Sequence, residues 1–278
     1  MSTVGSLADL LTLTGDPAGR PDVATGPSVH LTGGRIYGGQ ILGQAAVAAA
    51  RSATRDRRLH SLHAYFLRPG DVEADVEFEV ERFRDGRSFS ARAVRAVQAG
   101  KVIATATASF TVDARGPEHE TPPPTDVPGP EEFEDRFPAD LPGGPVTSEG
   151  LMQVRRVPGE LLDGVPPGTG VSWLRVRHRL PDDPVVHRAA LAYLSDAVVQ
   201  DPVLDDHGLD WTTTGIATAS LDHAMWWYRD TRADEWLLSV SESPVARTAR
   251  GLALGRVYTR AGDLVAVIGQ EVLARYDD

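Results

Sequence analysis

Residues 184–203 have the sequence PVVHRAALAYLSDAVVQDPV, and this stretch decides the fold because it predicts a long helix within the second half of the chain. Asp183 can cap the amino end of that helix with its side chain. Pro184 suits the first helical position, where a missing N–H costs nothing. We therefore expect a helix that begins at Pro184 and continues to Val203.

An acid lies on the apolar face of this predicted helix. Steps of three and four residues place Val185, Ala189, Ala192 and Asp196 on one stripe. A buried carboxylate is costly unless it is paired, hydrogen-bonded or used in a reaction. The alternative is that the end of the helix is more exposed than its periodicity suggests, so that Asp196 is solvated or caps the following turn.

The composition is that of a soluble globular protein. The chain has 278 residues, 41% of them hydrophobic and 24% charged, which allows one large domain or two ordinary ones. No apolar run approaches the ~20 residues of a membrane-spanning helix, and the N-terminus lacks the basic region of a signal peptide. We expect no membrane insertion.

Charge and cysteine content exclude several classes of function. The formal net charge of −11 disfavours generic binding to nucleic acid. The absence of cysteine excludes disulfides, thiolate catalysis and cysteine-ligated metals. A cytoplasmic location fits these features best.

The first half of the chain predicts one apolar helix followed by an antiparallel meander. A short helix at Leu7–Leu13 and a loop precede the glycines Gly38 and Gly39, which could let the backbone pass close to a ligand or a neighbouring strand. Residues 45–50 then continue as an alanine-rich helix that must be covered on all sides. Alternating patterns predict strands at Leu59–Leu67, Ala74–Arg84, Ser88–Gln98 and Val102–Val112.

The second half repeats this arrangement after a segment rich in Pro, Gly and acidic residues, which has a linker composition. A strand at Ser172–Arg179 precedes the helix of residues 184–203. Further strands are predicted at Thr213–Arg229, Glu235–Ser243, Ala249–Arg260 and Leu264–Ala274. His63-Ala64-Tyr65-Phe66 resembles His223-Ala224-Met225-Trp226, and similar local matches favour a duplicated unit of helix plus curved sheet.

Two polar residues interrupt apolar rows in the strands of the second half. Ser220 shares a face with Ile216 and Thr218, and Gln270 shares one with Ile268. Such residues are often structural, bonded to backbone or facing water. If the sheet wraps the helix, however, both side chains can meet Asp196. A carboxylate beside a hydroxyl and an amide can hold and deprotonate a water, without a metal, a thiol or a cofactor.

The chain resembles the acyl-CoA thioesterase II family, which is built from two fused hot-dog domains. The resemblance extends from Tyr37 to Tyr276 and is weakest in the linker. Its most specific segments are Gly38-Gly39-Gln40, residues 60–71 (HSLHAYFLRPGD), residues 84–92 (RDGRSFSAR), Ser195-Asp196, residues 220–226 (SLDHAMW) and Gln270-Glu271.

The resemblance implies which residues act. In that family an aspartate, a serine or threonine and a glutamine activate a water, and the matching residues are Asp196, Ser220 and Gln270. Ala108 occupies the place in the first half that corresponds to Gln270, so one working site per chain is implied. Candidate substrate-binding residues are Gly38 and Gly39 as donors to the thioester oxygen, and Arg68, Arg87 and Arg250 as partners of the coenzyme A phosphates.

Competing motifs are weaker. Ser220, Asp222 and His223 include the residue types of a hydrolase triad, but strand alternation places His223 on the opposite face from Ser220, and no G-x-S-x-G elbow exists. His60 and His63 also point to opposite faces of a strand, which disfavours a metal site.

Two other functions remain open on this scaffold. A hot-dog enoyl-thioester hydratase would use an Asp and His pair, for which Asp201 and His207 are a poor match. A non-catalytic acyl-CoA binding protein would resemble the enzyme in fold alone.

The sequence thus predicts an α+β protein with a double hot-dog fold, in which two tandem repeats each wrap a curved antiparallel sheet around a long central helix. The expected segments are an N-terminal hot-dog domain at 1–115, a linker at 116–148 and a C-terminal catalytic domain at 149–278. The expected function is hydrolysis of fatty acyl-CoA by a homo-oligomer, either a dimer or a tetramer.

Overall fold

The structure, a computed structural model, describes residues 4–16, 18–30, 35–137, 149–211 and 213–276. Within these residues the helices are α1 (Leu7–Leu11), α2 (Gly38–Arg51), α3 (Pro184–Ser195) and α4 (Asp201–Asp205). The strands are β1 (Thr14–Gly15), β2 (Val23–Gly26), β3 (Arg58–Phe66), β4 (Val76–Asp85), β5 (Phe89–Gln98), β6 (Lys101–Thr111), β7 (Met152–Val157), β8 (Gly170–Val176), β9 (Ile216–Ser220), β10 (Asp222–Trp227), β11 (Leu237–Arg247), β12 (Arg250–Thr259) and β13 (Leu264–Tyr276). No helix of the described residues is long and apolar enough to cross a membrane.

These strands form one large antiparallel sheet. Its order is β1-β2-β4-β5-β6-β3-β10-β13-β12-β11-β8-β7, with β9 paired to β13. Strand β3 pairs antiparallel with β10, with Ala64 opposite His223, and this pairing joins the two halves of the chain. The two sides of the junction have the same topology, because β2-β4-β5-β6-β3 on one side follow the chain in the same relative order as β8-β11-β12-β13-β10 on the other.

Helices α2 and α3 pack closely against each other, and glycines make the close approach possible. A Cβ at Gly39 would lie 2.4 Å from the Tyr193 carbonyl oxygen, and one at Gly43 would lie 3.0 Å from that of Ala189. The reversed order of these contacts shows that the helices run antiparallel. The glycines therefore let the backbone approach a helix, where the sequence had suggested a ligand or a strand. As predicted, α2 is covered on nearly all sides.

The start of α3 is as predicted, but its end is not. Asp183 caps the helix by accepting a 2.9 Å hydrogen bond from the Val185 N–H, and Pro184 is the first helical residue. The helix ends at Ser195, and Asp196 is its C-cap. The predicted helix to Val203 was too long because the apolar pattern continues through a buried turn before α4 begins.

Other boundaries differ where strands are short or interrupted. Helix α1 ends at Leu11 rather than Leu13, and the predicted loop after it contains β1 and β2. Strand β7 was missed, because its six residues lie at the edge of the sheet. The predicted strand Thr213–Arg229 is two strands that are interrupted at Leu221.

The described part of the predicted linker packs against the second half of the sheet. The Trp173 indole N–H donates to the Pro128 carbonyl oxygen over 2.8 Å, and the Arg155 guanidinium donates to that of Pro130 over 2.6 Å. Val127 and Phe133 pack on a small apolar cluster beside Trp173. Residues 127–137 are therefore docked, whereas residues 116–121 are exposed and residues 138–148 lie outside the described residues.

Candidate active site

Asp196 lies at the carboxyl end of α3, in the interior. It is 1% exposed, and both of its carboxylate oxygens accept hydrogen bonds. Oδ1 accepts from Gln270 Nε2 over 2.9 Å and from Ser220 Oγ over 3.3 Å. Oδ2 accepts from the backbone N–H of Gly39 over 2.8 Å. The expense of burying this acid is thus offset by three donors from three different elements.

Ser220 and Gln270 meet Asp196 because their strands are neighbours. Ser220 is the last residue of β9, which pairs with β13, and Gln270 lies on β13. Gln270 is fully buried, and its Nε2 lies 2.9 Å from Ser220 Oγ. Ser220 is half-buried. The structure therefore brings together the acid, the hydroxyl and the carboxamide that the sequence had singled out.

Gln200 is a fourth polar member that the sequence interpretation missed. Its Oε1 accepts from Gln270 Nε2 over 2.9 Å and lies 3.2 Å from Ser220 Oγ. Its Nε2 donates to the backbone carbonyl oxygen of Asp196 over 3.0 Å. The signal was its position four residues after Asp196, but in a predicted helix end a glutamine is an ordinary surface residue.

His223 also joins the site, which corrects its predicted position on the opposite face from Ser220. The interruption at Leu221 separates β9 from β10, so the alternation does not continue from one to the other. His223 is 1% exposed. Its Nδ1 lies 2.6 Å from Gln270 Oε1, and its Nε2 lies 3.0 Å from Ser195 Oγ. Burial lowers the pKa of His223, which favours the neutral imidazole.

The amino end of α2 points at the Asp196 carboxylate. Gly38 and Gly39 are the first two residues of α2, and the helix is fourteen residues long. A helix N-terminus carries unpaired N–H groups and a partial positive charge that favours an anion. Because α2 belongs to the first half and Asp196 to the second, both halves of the chain form the site.

Replacing Gly39 with alanine is expected to separate α2 from α3. The new Cβ would lie 2.4 Å from the backbone oxygen of Tyr193 and 2.4 Å from the Tyr37 ring. Overpacking of this kind costs about 1–3 kcal/mol of stability, and the Gly39 N–H would move away from Asp196. The midpoint temperature of thermal unfolding and kcat should both be lower than in the parent protein. Gly116→Ala is the control, because a Cβ there meets nothing within 4 Å; equal behaviour of the two variants would contradict this contact.

The three arginines predicted to bind phosphate lie in different places. Arg68 is exposed, and it follows Phe66, whose ring would lie 3.1 Å from a Cβ at Gly38. Arg250 pairs with Glu271, the neighbour of Gln270, over 3.0 Å. Arg87 lies in the turn between β4 and β5. That turn is at the far end of α2, roughly 20 Å from Gly38 by the rise of a helix.

The competing sites are not assembled. Both imidazole nitrogens of His223 are engaged by Gln270 and Ser195, so His223 is not the partner of Ser220. Asp201 is held by the Arg136 guanidinium at 2.5 Å and the Trp211 indole at 3.0 Å, while His207 is exposed. The hydratase pair is therefore absent among the described residues.

His60 and His63 contact different partners. His60 Nε2 lies 2.8 Å from Ser109 Oγ, and burial lowers its pKa. The His63 ring packs edge to face against Trp226, with the ring centres 4.9 Å apart. No group of three His, Cys, Asp or Glu side chains within the described ranges could hold a metal ion.

Comparison with known proteins agrees with this geometry. Residues 153–273 match the acyl-CoA thioesterase family, and residues 27–111 match the acyl-CoA thioesterase N-terminal domain. The mouse protein acyl-coenzyme A thioesterase 8 is 38% identical over 262 residues, covering 88% of this chain and 81% of the relative. The chain belongs to the acyl-CoA thioesterase family. Family membership identifies the protein as a thioester hydrolase that acts on acyl-CoA, as its resemblance to thioesterase II predicted.

Solved structures show the fold of this acyl-CoA thioesterase. An acyl-CoA thioesterase II from Mycobacterium marinum is 37% identical, with a TM-score of 0.81 over 98% of this chain and 99% of the other. A protein from Alicyclobacillus acidocaldarius described as having a hot dog fold is 22% identical, with a TM-score of 0.79 over 98% of each chain. The hot-dog fold is thereby confirmed.

Proposed function

We propose that this thioesterase hydrolyses fatty acyl-CoA to free acid and coenzyme A, using a water that is activated by Asp196 and oriented by Ser220 and Gln270. The observation that supports it most strongly is the buried carboxylate of Asp196, which receives hydrogen bonds from both of those side chains. A positioned carboxylate that accepts a proton in the transition state acts as a general base.

A water bound by Asp196, Ser220 and Gln270 would have a defined partner for each of its hydrogens and lone pairs. It would donate one hydrogen to Asp196 Oδ1 and the other to the Ser220 hydroxyl or Gln200 Oε1. It would replace Ser220 Oγ or Gln200 Oε1 as one of the two acceptors of Gln270 Nε2, which leaves one lone pair of the water for the thioester carbonyl carbon. Ser220 is the half-buried member, so it marks the side from which substrate approaches.

Each step of the reaction balances. The water oxygen attacks the carbonyl carbon as its proton passes to Asp196, forming a tetrahedral intermediate with a charged oxygen. The carbon–sulfur bond then breaks, and the proton on Asp196 goes to the departing sulfur. The products are a carboxylic acid and a thiol, and the carboxylate base is regenerated.

The N–H of Gly38 is the donor that we assign to the charged oxygen. The first N–H groups of a helix have no partner within that helix, and donors aimed at developing charge contribute a large share of catalysis. The N–H of Gly39 already bonds Asp196, so its role is to orient the base. The two glycines, which the sequence had suggested together as oxyanion donors, therefore have different roles.

The acyl chain would lie between α2 and the sheet, where an apolar cavity of about 10 Å³ must widen to admit it. The lining of this cavity includes Ile41 and Leu42 of α2, Ala64 of β3 and Ala104 of β6. Ile41 follows Gly38 by about one helical turn, so the cavity begins near the assigned oxygen donor. Arg68 and Arg250 are our candidates for the coenzyme A phosphates. Arg87 is a third candidate, at the opposite end of α2 from Gly38.

We also infer that the protein is a double hot-dog of two tandem repeats, at 1–115 and 149–278, joined by the linker at 116–148. The matching strand orders on either side of the β3–β10 pair support it, as do the two separate family matches. Ala108, buried on β6, corresponds to Gln270. Its lack of a polar group supports one working site per chain.

Assembly and location are part of the same proposal. Tyr65 is 61% exposed on the outer face of the sheet, near the edge-to-face pair of His63 and Trp226. An aromatic face of this kind favours a homo-oligomer, either a dimer or a tetramer. Sedimentation velocity should give a mass of at least twice 29.9 kDa, and a monomer would exclude it. The absence of cysteine favours a cytoplasmic location.

A panel of acyl-CoA esters of graded chain length tests the function. Release of coenzyme A can be followed with a thiol-reactive chromophore, and the protein contributes no background because it has no cysteine. We expect hydrolysis with a preferred range of chain lengths. Hydration of a crotonyl thioester without thiol release, or binding of acyl-CoA without turnover, would refute the proposal.

A further inference from the structure

The orientation of the Gln270 carboxamide determines whether the site works. Its Nε2 faces Asp196 Oδ1 over 2.9 Å, and the opposite orientation would place Oε1 against that carboxylate. Two acceptors in contact repel each other, and a water could then receive no hydrogen bond from this side chain. Neighbouring groups must therefore prevent the carboxamide from rotating by 180°.

Gln200 contributes to this orientation from one side. Because Gln200 Nε2 donates to the Asp196 carbonyl oxygen over 3.0 Å, its Oε1 is directed at Gln270 Nε2 over 2.9 Å. The other end of the carboxamide contacts a different element. Gln270 Oε1 lies 2.6 Å from Nδ1 of the buried imidazole of His223.

We propose that His223 is a positioning residue whose neutral Nδ1–H tautomer holds the Gln270 carboxamide with its N–H groups towards Asp196. An amide oxygen only accepts hydrogen bonds, so the short contact requires the proton to be on Nδ1. This inference rests on the proposed role of Gln270 in catalysis. His223 does not touch the water and acts through Gln270.

Ser195 faces the far side of the ring. Burial lowers the pKa of His223, so the ring is neutral and Nε2 is an acceptor. The Ser195 hydroxyl lies 3.0 Å from Nε2 and 2.9 Å from the Ala192 carbonyl oxygen, and in this tautomer its single hydrogen is shared between those two acceptors. Hydrogen bonds therefore point in one direction from His223 through Gln270 to Asp196. Such a chain orients every member without adding a second charge beside Asp196.

A comparison of two amide variants of His223 tests the inference. Asparagine places its side-chain nitrogen near the position of Nδ1, so His223→Asn can still donate to Gln270. Glutamine reaches the position of Nε2, so His223→Gln can bond Ser195 but not Gln270. We expect H223Q to lower kcat by about 10–100-fold with KM unchanged, and H223N to recover most of that loss. Equal kcat values for two folded variants would overturn the inference.

The tautomer can be measured in the unaltered protein, so the test does not depend on a variant that folds. Nitrogen-15 NMR of protein labelled at its eight histidines should show one ring protonated at Nδ1 and unprotonated at Nε2. The signal missing from the H223N spectrum identifies His223. Protonation at Nε2 instead would overturn the inference. If the unaltered protein hydrolyses acyl-CoA, that failure leaves the proposed function standing, whereas a protein without turnover would refute the function separately.

Discussion

Replacing Asp196 with asparagine is expected to lower kcat by about 10²–10⁴-fold, the usual contribution of a general base. Asparagine has the same size and keeps one oxygen that can accept from the Gly39 N–H. It cannot take a proton from water. Because substrate contacts are unaltered, KM should change little, which is the pattern for an interaction made in the transition state.

A second buried acid provides the control for this variant. The Asp234 side chain is 6% exposed and pairs with Arg232 over 2.8 Å, outside the site. Asp234→Asn should lower the thermal midpoint without lowering kcat, because it removes an ion pair and leaves the base intact. Thiol release by both variants, measured alongside circular dichroism, separates loss of chemistry from loss of structure. Turnover at the parent rate by a folded D196N would contradict the assignment of the base.

Replacing Gln270 with glutamate is expected to have the next largest effect, with kcat lower by about 10²–10³-fold at neutral pH, as for removal of a preorganised donor. The new carboxylate would lie where Gln270 Nε2 now donates to Asp196 over 2.9 Å. Two carboxylates at that distance cannot both be ionised easily, so the pKa of one of them must rise.

This variant also has a predicted pH dependence. At high pH both acids are ionised, the donor is lost and the charges repel each other. As the pH falls through the raised pKa, the protonated glutamic acid regains an O–H that can donate to Asp196. The kcat of the variant relative to that of the parent should therefore rise from pH 8 to pH 6. A ratio that is independent of pH, in a folded variant, would show that residue 270 does not contact the base.

The local parts of the fold could be predicted from the sequence. The cap at Asp183, the proline at the first helical position and the alternating strands depend on neighbouring residues, so periodicity was sufficient for them. The buried position of Asp196 was also predicted, because its stripe on α3 is apolar over three turns. For the same reason Ser220 and Gln270 could be recognised as polar interruptions in apolar rows.

The parts that were missed depend on partners that are distant in the chain. The interruption at Leu221 is set by the Glu271 carbonyl oxygen, which accepts from the Leu221 N–H, and by the Phe66 N–H, which donates to the Leu221 carbonyl oxygen. No pattern within residues 213–229 contains that information, so His223 was placed on the wrong face. The end of α3 at Ser195 has a similar cause, because the turn after it is buried by other elements.

In the proposed mechanism Asp196 activates water and does not itself attack the thioester, and a single turnover in oxygen-18 water tests this most directly. With enzyme in excess over acyl-CoA, the account predicts that the first acid released contains one oxygen-18 atom and that Asp196 remains unlabelled. An acid without label, together with oxygen-18 in the Asp196 carboxylate, would show that the aspartate forms a covalent anhydride and would contradict the account.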